Sequence, residues 1–362
     1  MEMANVLRSL GKYGAMNGFY EAFVGEEIVK AVRKHGGVMT QEDLSAHTST
    51  FPEAISADYH GVRMWQVPPN GQGIAGLIAL KGLAALEEHA DHPPTHTLQS
   101  PSSPNTESLH SMIEMMRLGF ADARNYVADL DYNSTTTASS ETQKHDAATT
   151  ATTTIGSTNW LLNKKRISTR ATKLYNPEKA VIQGESFPTS CTVSFQVVDK
   201  DGNAVSFVNS NYMGFGTGIV PKKCGFSLQN RGAGFILDPT LQHPNSLMPN
   251  KRPCHTILPG ILTHVDNDDL YATFSNMGGH MQPQGHMQLV VNMIRRGLNP
   301  QEAVDAPRFC ITDGSSSGRV FLEEGIEEEV VKQLLDMGHD LEHDVSGYGR
   351  SIFGRAQVIK RD

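Results

Sequence analysis

Thr192 heads a run of residues, Thr192–Asp199, whose composition is typical of a β-strand that ends near a turn at Asp201-Gly202. A threonine hydroxyl is a weak nucleophile and needs a base within hydrogen-bond reach. If the peptide bond before Thr192 were cut, its own α-amine, with a pKa of about 8, could be that base at neutral pH. Before the cut, the same hydroxyl could attack the carbonyl of Cys191. The alternative is that Thr192 only favours the start of a strand.

A pair of glycines, Gly278-Gly279, follows a second predicted strand, Leu270–Phe274. Paired glycines after a strand can aim backbone N–H groups at one point, which is what an oxyanion hole requires. Glycine also permits the necessary backbone dihedrals and a close approach of substrate. These two amides are therefore candidates for stabilising a tetrahedral intermediate, and the alternative is an ordinary loop.

Two further patterns suggest cofactor or metal sites, and we interpret both as structural. Residues 71–76 match the dinucleotide pattern G-x-G-x-x-G, but Pro68-Pro69 interrupts the strand that should precede it. We interpret these glycines as a turn that packs a helix closely on a sheet, and predict no cofactor. The pairs His280/His286 and His339/His343 lack a supporting carboxylate pattern, so we predict no metal site.

The composition argues against several classes of protein. The chain has 362 residues, of which 38% are hydrophobic and 19% charged, so it can bury a sizeable core. A net charge of −8 without clustered Lys and Arg argues against a nucleic-acid partner. No stretch has the length and hydrophobicity of a membrane helix. The four cysteines are too widely spaced for a zinc site or a disulfide framework.

The elements that must position Thr192 and the glycine pair are predicted from periodicity and caps. A capping box at Thr40 predicts a short helix over residues 41–44. Residues 133–159 are dominated by threonine, serine and alanine, and we interpret them as a disordered insertion. Helices are expected over residues 15–34, 77–88, 109–126, 287–296 and 327–337, and strands over 62–67, 192–199, 204–208 and 270–274.

Taken together, the motifs resemble the γ-glutamyltranspeptidase (glutathione hydrolase) family over nearly all of the chain outside the threonine-rich segment. Within that family, the strings of residues 230–235 and 281–284 resemble the bacterial glutathione-hydrolase-like and acylase-like branch. The strings that carry the family resemblance follow in family order: residues 17–20, 36–37, 42–44, 59–61, 68–73, 192–218, 228–235, 251–253, 278–284 and 306–309.

The resemblance implies an α+β fold, the αββα sandwich of the N-terminal nucleophile hydrolases. It implies a precursor that cuts itself before Thr192. Residues 1–191 would be the latter part of the large subunit, and residues 192–362 the small subunit, together forming one domain. It places the nucleophile on Thr192, the oxyanion hole on Gly278 and Gly279, and support for the nucleophile on Ser210. The reaction would be attack on a γ-glutamyl amide such as glutathione, followed by transfer of the acyl group to water or an amine.

The resemblance also points to residues that bind substrate, and here the chain departs from the family. The family's glutamine and aspartate that hold the donor's amino group read Arg231, beside Asn230, and Gly234. Its adjacent serine pair reads His255-Thr256. Arg231 could clamp a carboxylate in a bidentate manner, which would suit a glutaryl-like substrate.

Relative to the family, the chain begins inside the large subunit, so we expect it to be N-terminally incomplete. The compartment is therefore left open, with the cytoplasm as the default, because N-terminal targeting information would be missing. The alternative function is that of a catalytically inactive relative, a binding or vestigial protein.

Overall fold

The computed structural model describes residues 1–89, 104–129, 155–181, 191–241, 243–314, 316 and 318–361. Its contacts divide the chain into two compact units, one of Met1–Pro52 with Asn211–Ala233 and one of Glu53–Ser210 with Gly234–Asp362. Most of the predicted insertion, residues 133–154, lies outside the described residues. Residues 155–157 form a turn and the N-cap before a short helix that starts at Thr158.

Three sheets contain the described strands. The strands are β1 (Ile55–Tyr59), β2 (Val62–Gln66), β3 (Cys191–Val198), β4 (Ala204–Tyr212), β5 (Gly260–His264), β6 (Leu270–Asn276), β7 (Phe309–Ile311), β8 (Val320–Glu323), β9 (Leu341–Val345) and β10 (Ala356–Lys360). One sheet has five strands in the order β1-β2-β5-β6-β10 with every neighbouring pair antiparallel, one is the pair β3-β4, and one is β7-β8-β9.

The longer described helices of the second unit pack on the five-stranded sheet and on one another. The helix that begins at Ile74 is buried on every side as far as Leu80, as expected for a helix without a polar face. Burial of each leucine or isoleucine side chain in this helix contributes about 1.5–3 kcal/mol to the free energy of unfolding. The helices are α1 (Glu2–Ala15), α2 (Phe23–Lys34), α3 (Gln41–Ser45), α4 (Ile74–Glu88), α5 (Thr106–Tyr126), α6 (Thr158–Leu161), α7 (Lys164–Leu174), α8 (Met281–Ile294), α9 (Pro300–Asp305) and α10 (Glu328–Asp336).

The hairpin β3-β4 lies on the five-stranded sheet and orients Thr192. Side chains alternate along β3, so that Thr192 and Ser194 are buried whereas Val193 and Phe195 are 67% and 46% exposed. Gln196, on the buried side, donates to the Ser275 hydroxyl of β6 at 2.8 Å and thereby fixes the face that the strand presents. The polar face of β3 therefore packs inward, and Thr192 is part of it.

The first unit contains α1 to α3 around a small core of Val6, Val24, Ile28 and Cys224. The capping box at Thr40 is confirmed, since its hydroxyl accepts from the Asp43 amide and the Asp43 carboxylate accepts in return. The single helix predicted over residues 15–34 is wrong, because a π-helical turn, Met16–Tyr20, and the extended Ala22 interrupt it. A Cβ on Gly25 would lie 2.0 Å from the Tyr20 carbonyl oxygen, so this break allows a backbone contact that only glycine permits.

None of the helices among the described residues combines the length and hydrophobicity that a membrane span requires.

Two buried histidines make stability depend on pH. Burial lowers the pKa of His286 and of His339 to about 3, whereas an unfolded histidine has a pKa of about 6.5. Between those values the unfolded chain binds protons that the folded chain does not. The folded state is therefore favoured above pH 6.5 and loses stability as the pH falls. We expect a loss of about 2 kcal/mol per histidine between pH 7 and pH 5.

Urea unfolding at pH 7 and pH 5 measures this loss of stability, and His286→Gln is expected to reduce it by about 2 kcal/mol, the share of one histidine. An unchanged loss in that variant would rule out His286 as a source of the pH dependence.

Candidate active site

Thr192 is 2% exposed, and its hydroxyl donates to the Ser210 hydroxyl at 3.2 Å. A tight turn joins the two strands that carry these residues. The Asp199 side chain accepts from the amides of Asp201 and Asn203, and Gly202 takes a φ of +86°. The hairpin thus brings together the predicted nucleophile and the predicted supporting hydroxyl.

Gln282, near the start of α8, is a second partner of Thr192. Its Nε2 donates to Thr192 Oγ1 at 3.2 Å, while its Oε1 accepts from the Leu258 amide at 3.0 Å. The side chain is completely buried. Sequence reasoning assigned no role to Gln282. The available signal was a set of glutamines at 282, 284 and 288 in a helix that is otherwise largely apolar.

Gly278 and Gly279 lie between the end of β6 and the start of α8. Their φ angles are +122° and +62°, values that favour glycine. Their carbonyls accept from the amides of Met281 and Gln282 at 3.1 and 3.0 Å, which fixes the turn to the helix. Neither glycine amide donates a hydrogen bond to any residue that the structure describes. The positive end of the α8 dipole adds to the attraction that these amides exert on a negative oxygen.

His255 and Thr256, predicted to bind substrate, lie in the segment that Gln282 connects to Thr192 through Leu258. His255 pairs with residues 70–72, because its amide donates to the Asn70 carbonyl and its carbonyl accepts from the Gln72 amide. Thr256 is 3% exposed, and its hydroxyl has no hydrogen-bond partner within the described part of the chain. The role predicted for His255 and Thr256 in substrate binding stays a prediction.

Asn230 and Arg231 lie in the first unit. The Asn230 side chain accepts from the Met213 amide at 3.0 Å. The Arg231 guanidinium is 5.2 Å from the centre of the Tyr212 ring and is largely buried. Tyr212 is the last residue of β4, two positions after Ser210. The role predicted for Asn230 and Arg231 in substrate binding stays a prediction.

The glycines of residues 71–76 serve packing, as the sequence indicated. A Cβ on Gly73 would lie 2.7 Å from the Gln66 side chain, and one on Gly76 would lie 3.0 Å from the Pro283 carbonyl oxygen. These short distances let α4 approach β2 and α8 closely. The close contacts account for Gly73 and Gly76, and the absence of a cofactor stays a prediction.

The two members of each histidine pair considered from the sequence have different surroundings in the structure. His286 is buried and accepts from the Asn276 amide, whereas His280 contacts Gln72 Oε1 at 3.0 Å, and burial lowers the pKa of His280 to about 4. His339 is buried, whereas His343 is exposed on β9.

One group among the described residues has ligand atoms close enough for a metal ion: His110, Glu114 and His339, all within 4.8 Å of one another. His110 Nδ1 lies 2.7 Å from His339 Nε2, and its Nε2 lies 2.7 Å from the Asn176 carbonyl oxygen. The Arg117 guanidinium lies 3.8 Å from Glu114. Hydrogen bonds and an ion pair thus already engage these side chains, and the absence of a metal site stays a prediction.

The chain is similar to known proteins along its whole length. The family model described as Gamma-glutamyltranspeptidase matches residues 1–362. The chain is 29% identical over 368 residues to the glutathione hydrolase-like YwrD proenzyme of Bacillus subtilis, covering 100% of this chain and 62% of that protein. It is 28% identical over 345 residues to the oxamate amidohydrolase proenzyme of Klebsiella pneumoniae, covering 94% of this chain and 57% of that protein.

Among solved structures, the cephalosporin acylase from Bacillus halodurans matches with a TM-score of 0.79 at 36% identity, over 100% of this chain and 58% of that one. This likeness confirms the predicted α+β fold of the N-terminal nucleophile hydrolase type. The chain spans about three fifths of the length of each of these relatives.

Proposed function

Because the chain belongs to the γ-glutamyltranspeptidase family, we propose that it acts as a self-processing threonine amidohydrolase or acyltransferase. Its substrates would be γ-glutamyl or glutaryl-like amides. The observation that carries the proposal is the buried Thr192 hydroxyl, held between Ser210 and Gln282.

In the first step, Thr192 Oγ1 attacks the carbonyl carbon of Cys191, and the Thr192 nitrogen leaves that carbon and takes up a proton. The product is an ester between Cys191 and the Thr192 oxygen. Water hydrolyses this ester, so that residue 191 ends in a carboxylate and Thr192 begins a new chain with a free amine. The cut therefore creates the base that the hydroxyl needs.

In the catalytic cycle, the Thr192 amine takes the proton from Oγ1 as the oxygen attacks the substrate's amide carbon. The amides of Gly278 and Gly279 stabilise the oxyanion. The amide nitrogen receives the proton and leaves as an amine, which gives an acyl-enzyme. Water then completes hydrolysis, or a second amine completes transfer.

The substrate is proposed to present a carboxylate to Arg231. Gly234 offers no acid for an α-amino group, whereas a guanidinium suits a carboxylate. The relative named oxamate amidohydrolase supports this substrate class, because oxamate is an amide with a carboxylate and no amino group. The hydroxyl of Thr256 would accept or donate one further bond to the substrate.

The first experiment is the intact mass of the purified protein with N-terminal sequencing of each piece. Two pieces, one beginning Thr-Val-Ser-Phe, are expected, followed by a screen of glutathione, γ-glutamyl, glutaryl and oxamate amides. A chain that stays whole and hydrolyses nothing would favour the inactive relative.

Arg231→Gln is expected to raise KM about 10- to 100-fold for an amide that carries a free carboxylate, because a charged hydrogen-bonded contact is lost. The matched substrate is the same amide as its methyl ester, for which the variant and the parent should differ little. Steady-state kinetics on the pair measures the effect. Equal losses on acid and ester would argue against a carboxylate contact.

A further inference from the structure

Three buried glutamines lie along α8, and one of them differs from the others in what it holds. Gln284 accepts from the Ile311 amide and donates to the Ile311 carbonyl. Gln288 makes the same pair of bonds to Phe309. These two therefore hold the backbone of β7. Gln282 binds the backbone at Leu258 with its oxygen only, and its nitrogen binds the Thr192 hydroxyl.

The bond to Leu258 fixes the orientation of the Gln282 amide. A backbone N–H can only donate, so Oε1 must face Leu258 and Nε2 must face Thr192. Nε2 can also only donate, so Thr192 Oγ1 accepts from it. The hydroxyl proton of Thr192 is then directed to Ser210, 3.2 Å away. One lone pair of Oγ1 is left for attack on a carbonyl carbon.

We infer that Gln282 is a positioning residue for the Thr192 nucleophile, an inference that rests on the function proposed above. Its amide sets the side-chain rotamer of Thr192 and directs the hydroxyl proton. It also stabilises negative charge on Oγ1 as the proton leaves, because hydrogen bonds to charged oxygens are the stronger ones. Through Leu258 it holds the segment that contains Thr256 in a constant position relative to the nucleophile. Fixed positions of the reacting groups account for a large part of the rate acceleration by an enzyme.

The substitution Gln282→Met removes the hydrogen bonds to Leu258 and to Thr192 and keeps a side chain of similar volume. We expect self-cleavage and amide hydrolysis to slow about 10- to 100-fold, so that uncut chain accumulates and matures slowly enough to follow by intact mass. The fall should be in kcat, with KM within about threefold, because Gln282 acts on the nucleophile and not on the bound substrate.

Gln282→Glu tests the direction of the bond. A neutral glutamic acid can accept from Leu258 and donate its O–H to Thr192, as the amide does. An ionised carboxylate can only accept. Burial raises the pKa of such a carboxyl, so its ionisation falls in a range that can be assayed. Self-cleavage of this variant should be about tenfold faster at pH 5 than at pH 8. A rate that rises with pH would show an acceptor or base at this position and overturn the inference.

Gln288→Met is the matched control, because Gln288 lies on the same helix, is 3% exposed and also accepts from a backbone amide, that of Phe309. Both variants should lower the melting temperature similarly, but the Gln288 variant should cut itself and turn over within about threefold of the parent. Equal slowing in both variants would reduce Gln282 to a structural role. If the unsubstituted protein cuts itself and the Gln282→Met variant cuts itself equally well, the inference is refuted but the proposed function is not. If the unsubstituted protein stays uncut, the proposed function is refuted and the inference with it.

Discussion

Thr192→Ala is expected to leave the protein as one uncut chain of 362 residues that has lost nearly all amide hydrolysis. The alanine has no oxygen to attack Cys191, so neither the cut nor the new α-amine forms. Removal of a nucleophile costs on the order of 10³-fold or more in rate, and the residual rate comes from binding and oxyanion contacts alone. Intact mass and amide hydrolysis, measured on the same preparation, check both effects.

Two companion variants make this result specific. Thr192→Ser keeps the hydroxyl and should still cut, although more slowly because its rotamer is less restricted. Ser194→Ala removes a buried hydroxyl two residues further along the same strand and should cut like the parent. A Thr192→Ala protein that still yields two pieces would place the nucleophile elsewhere.

Gly278→Ala is expected to lower kcat about 10²- to 10³-fold, which is the usual loss when one oxyanion donor is misplaced. At a φ of +122° an alanine is strained. Its Cβ would also lie 3.2 Å from the Met281 Cβ and 3.3 Å from the Gly354 Cα. The peptide that carries the Gly279 amide must rotate to relieve this strain, so the donor leaves its position.

Gly297→Ala separates backbone strain from catalysis. Gly297 also has a positive φ, +66°, but a Cβ there meets nothing within 4 Å. Gly297→Ala should lose less stability than Gly278→Ala, because its φ lies in the left-handed region and its Cβ meets no neighbour, and only Gly278→Ala should lose kcat with KM nearly unchanged. Full activity in Gly278→Ala would exclude this turn from the oxyanion hole.

Thr192 and the glycine pair could be proposed as site residues from the sequence because both are local signals, a threonine at a strand start and two glycines at a strand end. Sequence reasoning missed Gln282 for two physical reasons. The helix was predicted to begin at residue 287, whereas α8 begins at Met281, because Pro283 lies in the first turn, where a proline loses no hydrogen bond. The contact with Thr192 also spans 90 residues of sequence, and only the tertiary fold makes it.

For the fold as well, local patterns could be predicted from the sequence and long-range contacts could not. Helix α5 and the strands β2 and β6 were predicted within a few residues, because their apolar patterns are long and regular. The strands β7 and β9 were not predicted, since each is short and two of the five residues of β9, Glu342 and Asp344, are charged. Sheet order could not be predicted either, because β2 pairs with β5 across about two hundred residues of chain.

That pairing has a consequence for the protein after it is cut. β1 and β2 precede Thr192, while β5, β6 and β10 follow it, and all five belong to one sheet. The two pieces would therefore stay joined by the backbone hydrogen bonds between Val62–Trp65 and Ile261–His264. Once unfolded, however, they would have to find each other by diffusion. Maturation would turn a folding reaction that is independent of concentration into an association governed by mass action.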